Sequence, residues 1–170
     1  NDRLIVNWRK MGQESAYPRH DALRSRLREH WDEFTAFLVE NSLSTPRHVV
    51  LECTYVNTFD IGGDISSALS IFSRSTSDLP GEDEGVQFQV VRRLVEQGIE
   101  GRLVITGGPN PTQVPNMTRP YNLSVTAKVR GALEGGAFPE ALTDSAHRFS
   151  VEAFAAITTL ENHQTWGRQQ

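Results

Sequence analysis

The feature that most constrains this chain is an unbroken two-residue alternation late in the sequence. Tyr121, Leu123, Val125, Ala127 and Val129 alternate with Asn122, Ser124, Thr126, Lys128 and Arg130. Successive side chains on a strand point to opposite faces, so the pattern specifies a strand with one apolar side and one wet side. Strands of a doubly wound parallel sheet are buried on both faces and read as continuous apolar runs. The alternation predicts a sheet that helices cover on one face and leave half-exposed on the other.

A second period appears earlier. Leu23, Leu27, Trp31, Phe34 and Leu38 follow one another at helical spacing from Asp21 onward, with Phe37 widening the stripe. Arg24, Arg28, Asp32, Glu33 and Glu40 lie away from it, as on an amphipathic helix. Pro18 suits the first turn, where its missing N–H costs nothing, and Asn41-Ser42 with Ser44-Thr45-Pro46 ends the helix.

Four further segments read as strands. Leu4, Val6 and Trp8 alternate with polar or opposite-facing neighbours, and Val49, Leu51, Cys53 and Tyr55 do the same. Val86, Phe88 and Val90 form a third, which Leu94 to Ile99 either extends or ends in a turn. Gly101 to Thr106 is the next, stopped by Gly107-Gly108-Pro109. Between the second and third, Asp64 is placed to cap a short helix carrying Ile65, Ala68, Leu69 and Phe72. Ser73 to Gly85 is a polar, acidic loop.

Residues 107–120 hold four of the eight prolines and form an irregular connection, and 131–142 reads as a loop. Asp144 is placed to cap a helix whose apolar face is Ala146, Phe149, Ala153, Phe154 and Ile157. Thr158-Thr159 interrupts it, and a last helical turn runs through Trp166 to Gly167. The order is strand, long helix, strand, short helix, three strands, helix. Consecutive late strands favour an antiparallel arrangement. We expect an α+β domain over residues 1–170 with a mainly antiparallel sheet of about five strands, a long helix after the first strand, a short helix and a C-terminal helical segment.

Composition limits the functions available. With 170 residues, 38% hydrophobic and 22% charged, the chain fits one domain with a core of its own. A net charge of −4 argues against general nucleic-acid binding, which needs a basic surface to release counterions. Cys53 is the only cysteine, so no internal disulfide or multi-cysteine zinc site forms. No apolar run is long enough to cross a bilayer, and no basic-then-apolar leader is visible at the start. A cytoplasmic location is the expectation. The glycosylation-type tripeptides at Asn116 and Asn122 carry little weight in that context.

No catalytic constellation stands out. His20, His30, His48, His147 and His163 show no metal-ligand spacing. His147 with Asp144 or His163 is the weak candidate for an enzyme, set against ordinary histidines on helical turns. Cys53 lies on an apolar strand face, where a thiol acts as a small hydrophobe. Gly107-Gly108-Pro109-Asn110-Pro111 lacks the following helix and the N–H donors of a phosphate loop. Arg9, Lys10, Arg19, Arg24, Arg26 and Arg28 make the first thirty residues basic, but interleaved Glu14, Asp21, Glu29, Asp32 and Glu33 indicate a solvated, salt-bridged face. Neither a cofactor nor a metal is expected.

Several blocks carry a resemblance: Leu4-Ile5-Val6-Asn7-Trp8-Arg9, Tyr17-Pro18-Arg19, Glu52-Cys53-Thr54-Tyr55-Val56-Asn57, Asp144-Ser145-Ala146-His147, and Thr158-Thr159 through Trp166-Gly167. Together they resemble a sporadically distributed bacterial family of uncharacterised cytoplasmic proteins. The resemblance implies that this chain is the C-terminal part of a longer family member, and it brings no reaction with it. Trp8, Arg9, Tyr17, Arg19, Tyr55, Asn57 and Trp166 are the candidate binding residues. The patchy distribution suggests a mobile or defence-type locus. The leading reading is a non-catalytic module that binds another protein, or an upstream segment of the same protein, as an antitoxin, immunity protein or accessory subunit does. A small-molecule domain with an apolar cavity lined by Trp8, Tyr55, Phe88 and Tyr121 is the alternative, and an enzyme using His147 the third.

Overall fold

The alternation at 121–130 becomes the centre of the molecule. A computed structural model describes residues 4–7, 19–61, 69, 85–96, 98–114 and 116–160. Its elements are α1 (His20–Glu40), β1 (His48–Asp60), β2 (Phe88–Glu96), β3 (Ile99–Pro109), β4 (Pro120–Ala132) and α2 (Glu140–Ile157). The four strands form one sheet in the order β1-β4-β3-β2, antiparallel throughout. β4 is internal, which is why its apolar side is buried without exception: Tyr121, Leu123, Val125, Ala127 and Val129 are all 0% exposed.

α2 lies across that side and buries Leu142, Thr143, Ala146, Ser150, Ala153 and Ile157. Leu103 and Ile105 of β3 and Phe59 of β1 complete the core, with Leu51, Cys53, Phe88, Val90 and Leu94 packed around it. Phe88 and Tyr121 both lean over Gly107, where a Cβ would come within 2.7 Å of the Tyr121 hydroxyl. The β2–β3 connection turns at Gly98, whose φ of 83° lies in the left-handed region that favours glycine.

Several boundaries differ from expectation. Four strands are present among the described residues rather than about five. Residues 4–7, the described part of the expected first strand, belong to no strand. The short helix around residues 64–72 lies outside the described residues except for Leu69, which is fully buried and bridges to Thr158. β2 extends to Glu96, and the chain turns at Gly98 before β3 opens at Ile99. α2 starts at Glu140, after Pro139, so Asp144 sits inside the helix and caps nothing. The cause is local: Gly135 and Gly136, both at positive φ, confine the turn to a few residues. Pro139 then offers its carbonyl to the Thr143 N–H at 2.9 Å. Glu140 in the first turn complements the helix dipole. The helix ends where Thr158 was expected to interrupt it, its hydroxyl turned back on the Phe154 carbonyl at 2.6 Å. The final helical turn through Trp166 lies outside the described residues.

Candidate functional site

α1 does not reach the sheet as α2 does; Trp31 is its one buried residue. It meets the rest of the molecule along a seam running from His20 to Trp31, each contact about a turn from the last. At the N-terminal end the His20 and His147 rings stack at a centroid distance of 3.6 Å and an interplanar angle of 3°. The Tyr55 hydroxyl, from the α2-facing side of β1, lies 2.8 Å from His147 Nδ1. One turn along, Arg24 donates to Asp144 at 2.7 Å. Arg28 pairs with Glu140 and lays its guanidinium 4.9 Å from the centre of the Phe138 ring. The indole N–H of Trp31 closes the seam by donating to the Gly136 carbonyl at 2.9 Å.

Burial lowers the pKa of both histidines below the ordinary 6.5, and the neighbouring His20 lowers that of His147 further. Asp144 and Asp21 pull in the opposite direction without winning. Two neutral imidazoles stack without repulsion, and His147 then accepts the Tyr55 proton at Nδ1 when its own proton sits on Nε2. Nε2 of His20 is buried and has no hydrogen-bond partner among the described residues.

This arrangement resembles a structural joint more than a reaction centre. A general base needs an accessible nitrogen aimed at substrate. Nδ1 of His147 is occupied by Tyr55, and one ring face is covered by His20. Asp144 lies close enough to act on both imidazoles through its charge, but it accepts its hydrogen bond from Arg24. Burial raises the Cys53 thiol pKa, so it is held as the neutral thiol. Among the described residues no group of three or more His, Cys, Asp or Glu side chains is placed to hold a metal. A shallow open cleft of about 410 Å³ lies at the far end of the seam, between Asp32, Thr35, Val39 and Glu40 of α1 and Thr45, Gly135 and Gly136.

The second candidate region is the side of the sheet that α2 does not cover. Val50, Val56, Val91 and Val95 stand on it at 60%, 64%, 54% and 63% exposure. The strand register sets Glu52, Lys128, Arg102 and Arg93 in one row across all four strands. The adjacent row holds Arg130 and Glu100, joined at 2.5 Å. On the other side come Thr54 and Thr126, whose hydroxyls meet at 3.0 Å.

Of the residues singled out in the sequence, Tyr55 and His147 are in contact, and Asp144 lies on the same seam. Asn57 is half-buried on the Tyr55 side of β1, opposite Leu123. Arg19 is exposed just before α1, its carbonyl accepting the Ala22 N–H. His30 is exposed beside Glu33, and His48 opens β1. Trp8, Arg9, Tyr17, His163 and Trp166 lie outside the described residues. His20, Arg24 and Arg28 were not expected to act together, and no local pattern marks Arg102. No family model, no curated protein and no solved structure matches the chain. No helix among the described residues is long and apolar enough to cross a membrane.

Proposed function

We propose that this domain is a non-catalytic protein-binding module whose docking surface is the uncovered face of the sheet. One observation carries the reading: four valines on that face are each more than half exposed, around a polar centre. Apolar groups interspersed with charges and hydroxyls on one broad face match the mixed composition of non-obligate protein interfaces. The family resemblance adds a setting, a cytoplasmic antitoxin, immunity protein or accessory subunit of a mobile or defence-type bacterial locus.

The cavity reading is weaker, because the space between α2 and the sheet is filled by Leu123, Val125, Ala127, Val129 and Ala146, all fully buried. The Tyr55–His147 hydrogen bond favours an enzyme only if a substrate can displace His20 from the ring.

The test is affinity purification of the tagged protein from its native host, alongside a variant carrying Val56→Asp and Val91→Asp and a His147→Gln variant. Capture of a stoichiometric partner by the wild type and the histidine variant, lost in the valine variant, supports the reading. Capture that survives the two aspartates, or no partner at all, overturns it.

A further inference from the structure

We propose that the uncovered sheet face binds an acidic segment of a partner protein, gripped by the cation row Arg93–Arg102–Lys128 and flanked by Val50, Val56, Val91 and Val95. The inference rests on the binding-module reading and names the chemistry of the partner.

The register places Arg102 of β3 directly opposite Arg93 of β2 on one side and Lys128 of β4 on the other. Directly opposed side chains on one sheet face have Cβ atoms about 5 Å apart, and like charges in that position destabilise the pair. The row therefore sets three cations side by side on a chain whose net charge is −4. The nearby carboxylates answer the two outer cations and leave the middle one. Glu52 lies 3.6 Å from Lys128 at the end of the row. Glu100 bonds Arg130 at 2.5 Å and stands 3.9 Å from Arg93. Arg102, the middle cation, has no carboxylate partner among the described residues. Asp60, at the far corner of the face, accepts the backbone N–H groups of Thr118 and Arg119 at 2.6 and 3.0 Å.

An arginine set between two cations gains nothing from its neighbours on a surface that only has to be wet. It fits a surface awaiting carboxylates, which guanidinium groups bind through paired, directional hydrogen bonds. The hydroxyls of Thr54, Thr106, Ser124 and Thr126 lie on the same face and add neutral donors. The four valines supply apolar contact at both edge strands. A nucleic-acid strand suits the face less well. It would need aromatic platforms for its bases, and the described residues of this face include none.

The experiment uses the full chain and a fluorescein-labelled peptide of alternating glutamate and valine, read by fluorescence anisotropy. The same peptide with glutamine for glutamate and a labelled oligothymidylate are run in parallel. We expect the glutamate peptide to bind, more weakly as salt rises, and Arg102→Glu to cut its affinity by at least about tenfold. The glutamine peptide and the oligothymidylate should show no saturable binding. Arg102→Glu should also raise the melting temperature, by about 2 °C, since a carboxylate between Arg93 and Lys128 relieves the repulsion. Lost binding in a more stable protein cannot be ascribed to misfolding.

Equal binding of the two peptides, no peptide binding, or an unchanged affinity in Arg102→Glu overturns the acidic-partner proposal. Tighter binding of the oligothymidylate overturns it in favour of nucleic acid. A dimer seen by sedimentation and dissolved by Arg102→Glu overturns it in favour of a second copy of the chain. Failure here is separable from failure of the binding-module reading. A native partner captured by Arg102→Glu but lost with Val56→Asp and Val91→Asp keeps the module and discards the acidic segment.

Discussion

The two helices are close in length, 21 and 18 residues, and each carries an apolar stripe, yet they are held by different physics. α2 buries six residues, most of them against the sheet. α1 buries Trp31 alone and leaves Phe34, Phe37 and Val39 at 39%, 54% and 65% exposure. Its polar attachments are a ring stack, two arginine–carboxylate pairs, the Arg28 guanidinium over the Phe138 ring and one indole hydrogen bond. Burial of apolar surface is insensitive to pH and nearly so to salt, whereas the ring stack of α1 responds to pH and its arginine–carboxylate pairs to salt. α2 belongs to the folding unit, and α1 is docked onto it.

The largest effect should come from α2. Leu142 is 7% exposed and packs its methyls over Gly131. Leu142→Ala should cost about 3 kcal/mol through lost burial and a residual cavity. It should lower the melting temperature of the whole domain, read by circular dichroism. A local loss confined to α2 with the sheet intact would show that the helix is less integral than its burial implies.

Trp31→Ala tests the other side. It removes the only buried anchor of α1 and the bond to the Gly136 carbonyl. Amide exchange should accelerate throughout residues 20–40 while β3 and β4 keep their protection, as expected for a separately opening unit. Uniform acceleration in helix and sheet would place α1 within the same cooperative unit as α2.

The contrast between the helices also marks what the sequence could reveal. β4, the one-sided sheet and the span of α1 follow from periodicity, because period depends only on neighbours along the chain. Which helix covers the sheet does not. The stripe Leu23, Leu27, Trp31, Phe34 and Leu38 is bulkier than Ala146, Phe149, Ala153 and Ile157. Small residues nevertheless let α2 lie close to β4, and Phe34 stays outside. Gly135, Gly136 and Pro139 hid the start of α2 by marking a loop longer than the real one. The seam joins groups as far apart as Arg24 and Asp144, 120 positions in sequence. The cation row takes one residue from each of three strands. Both depend on tertiary register, which a single sequence does not state.

Acid should loosen α1 before it touches α2. The pKa values of His20 and His147 are lowered in the folded state, chiefly by burial. The docked helix therefore favours neutral rings, and its stability is complete above the unfolded value of 6.5. As pH falls below 6.5 the undocked form takes up protons that the docked form resists, and docking weakens. The groups facing the stack are Tyr55, Asp144, Asp21 and Arg24. The two carboxylates temper the loss and Arg24 sharpens it. Once the slower intrinsic exchange at low pH is divided out, the protection factors of residues 20–40 should fall between pH 7 and pH 5, with those of β4 unchanged. His20→Phe, which keeps a ring but cannot charge, should flatten most of that dependence; an undiminished one would move the titrating group elsewhere.

The smallest effect should come from the ion pairs. Arg24 and Asp144 are joined at 2.7 Å, but Arg24 is 31% exposed and Asp144 52%. Solvent and salt screen such a pair, and fixing two flexible side chains offsets part of its attraction. Arg24→Gln should leave the melting temperature of the domain almost unchanged and give only a slight rise in exchange along α1. That rise should vanish at about 0.5 M salt, where the wild-type pair is itself screened. If Arg24→Gln instead releases α1 as fully as Trp31→Ala, the pair and the stack beside it act as one cooperative element. The docking of α1 would then rest on charge, and the indole would serve only to fix its register.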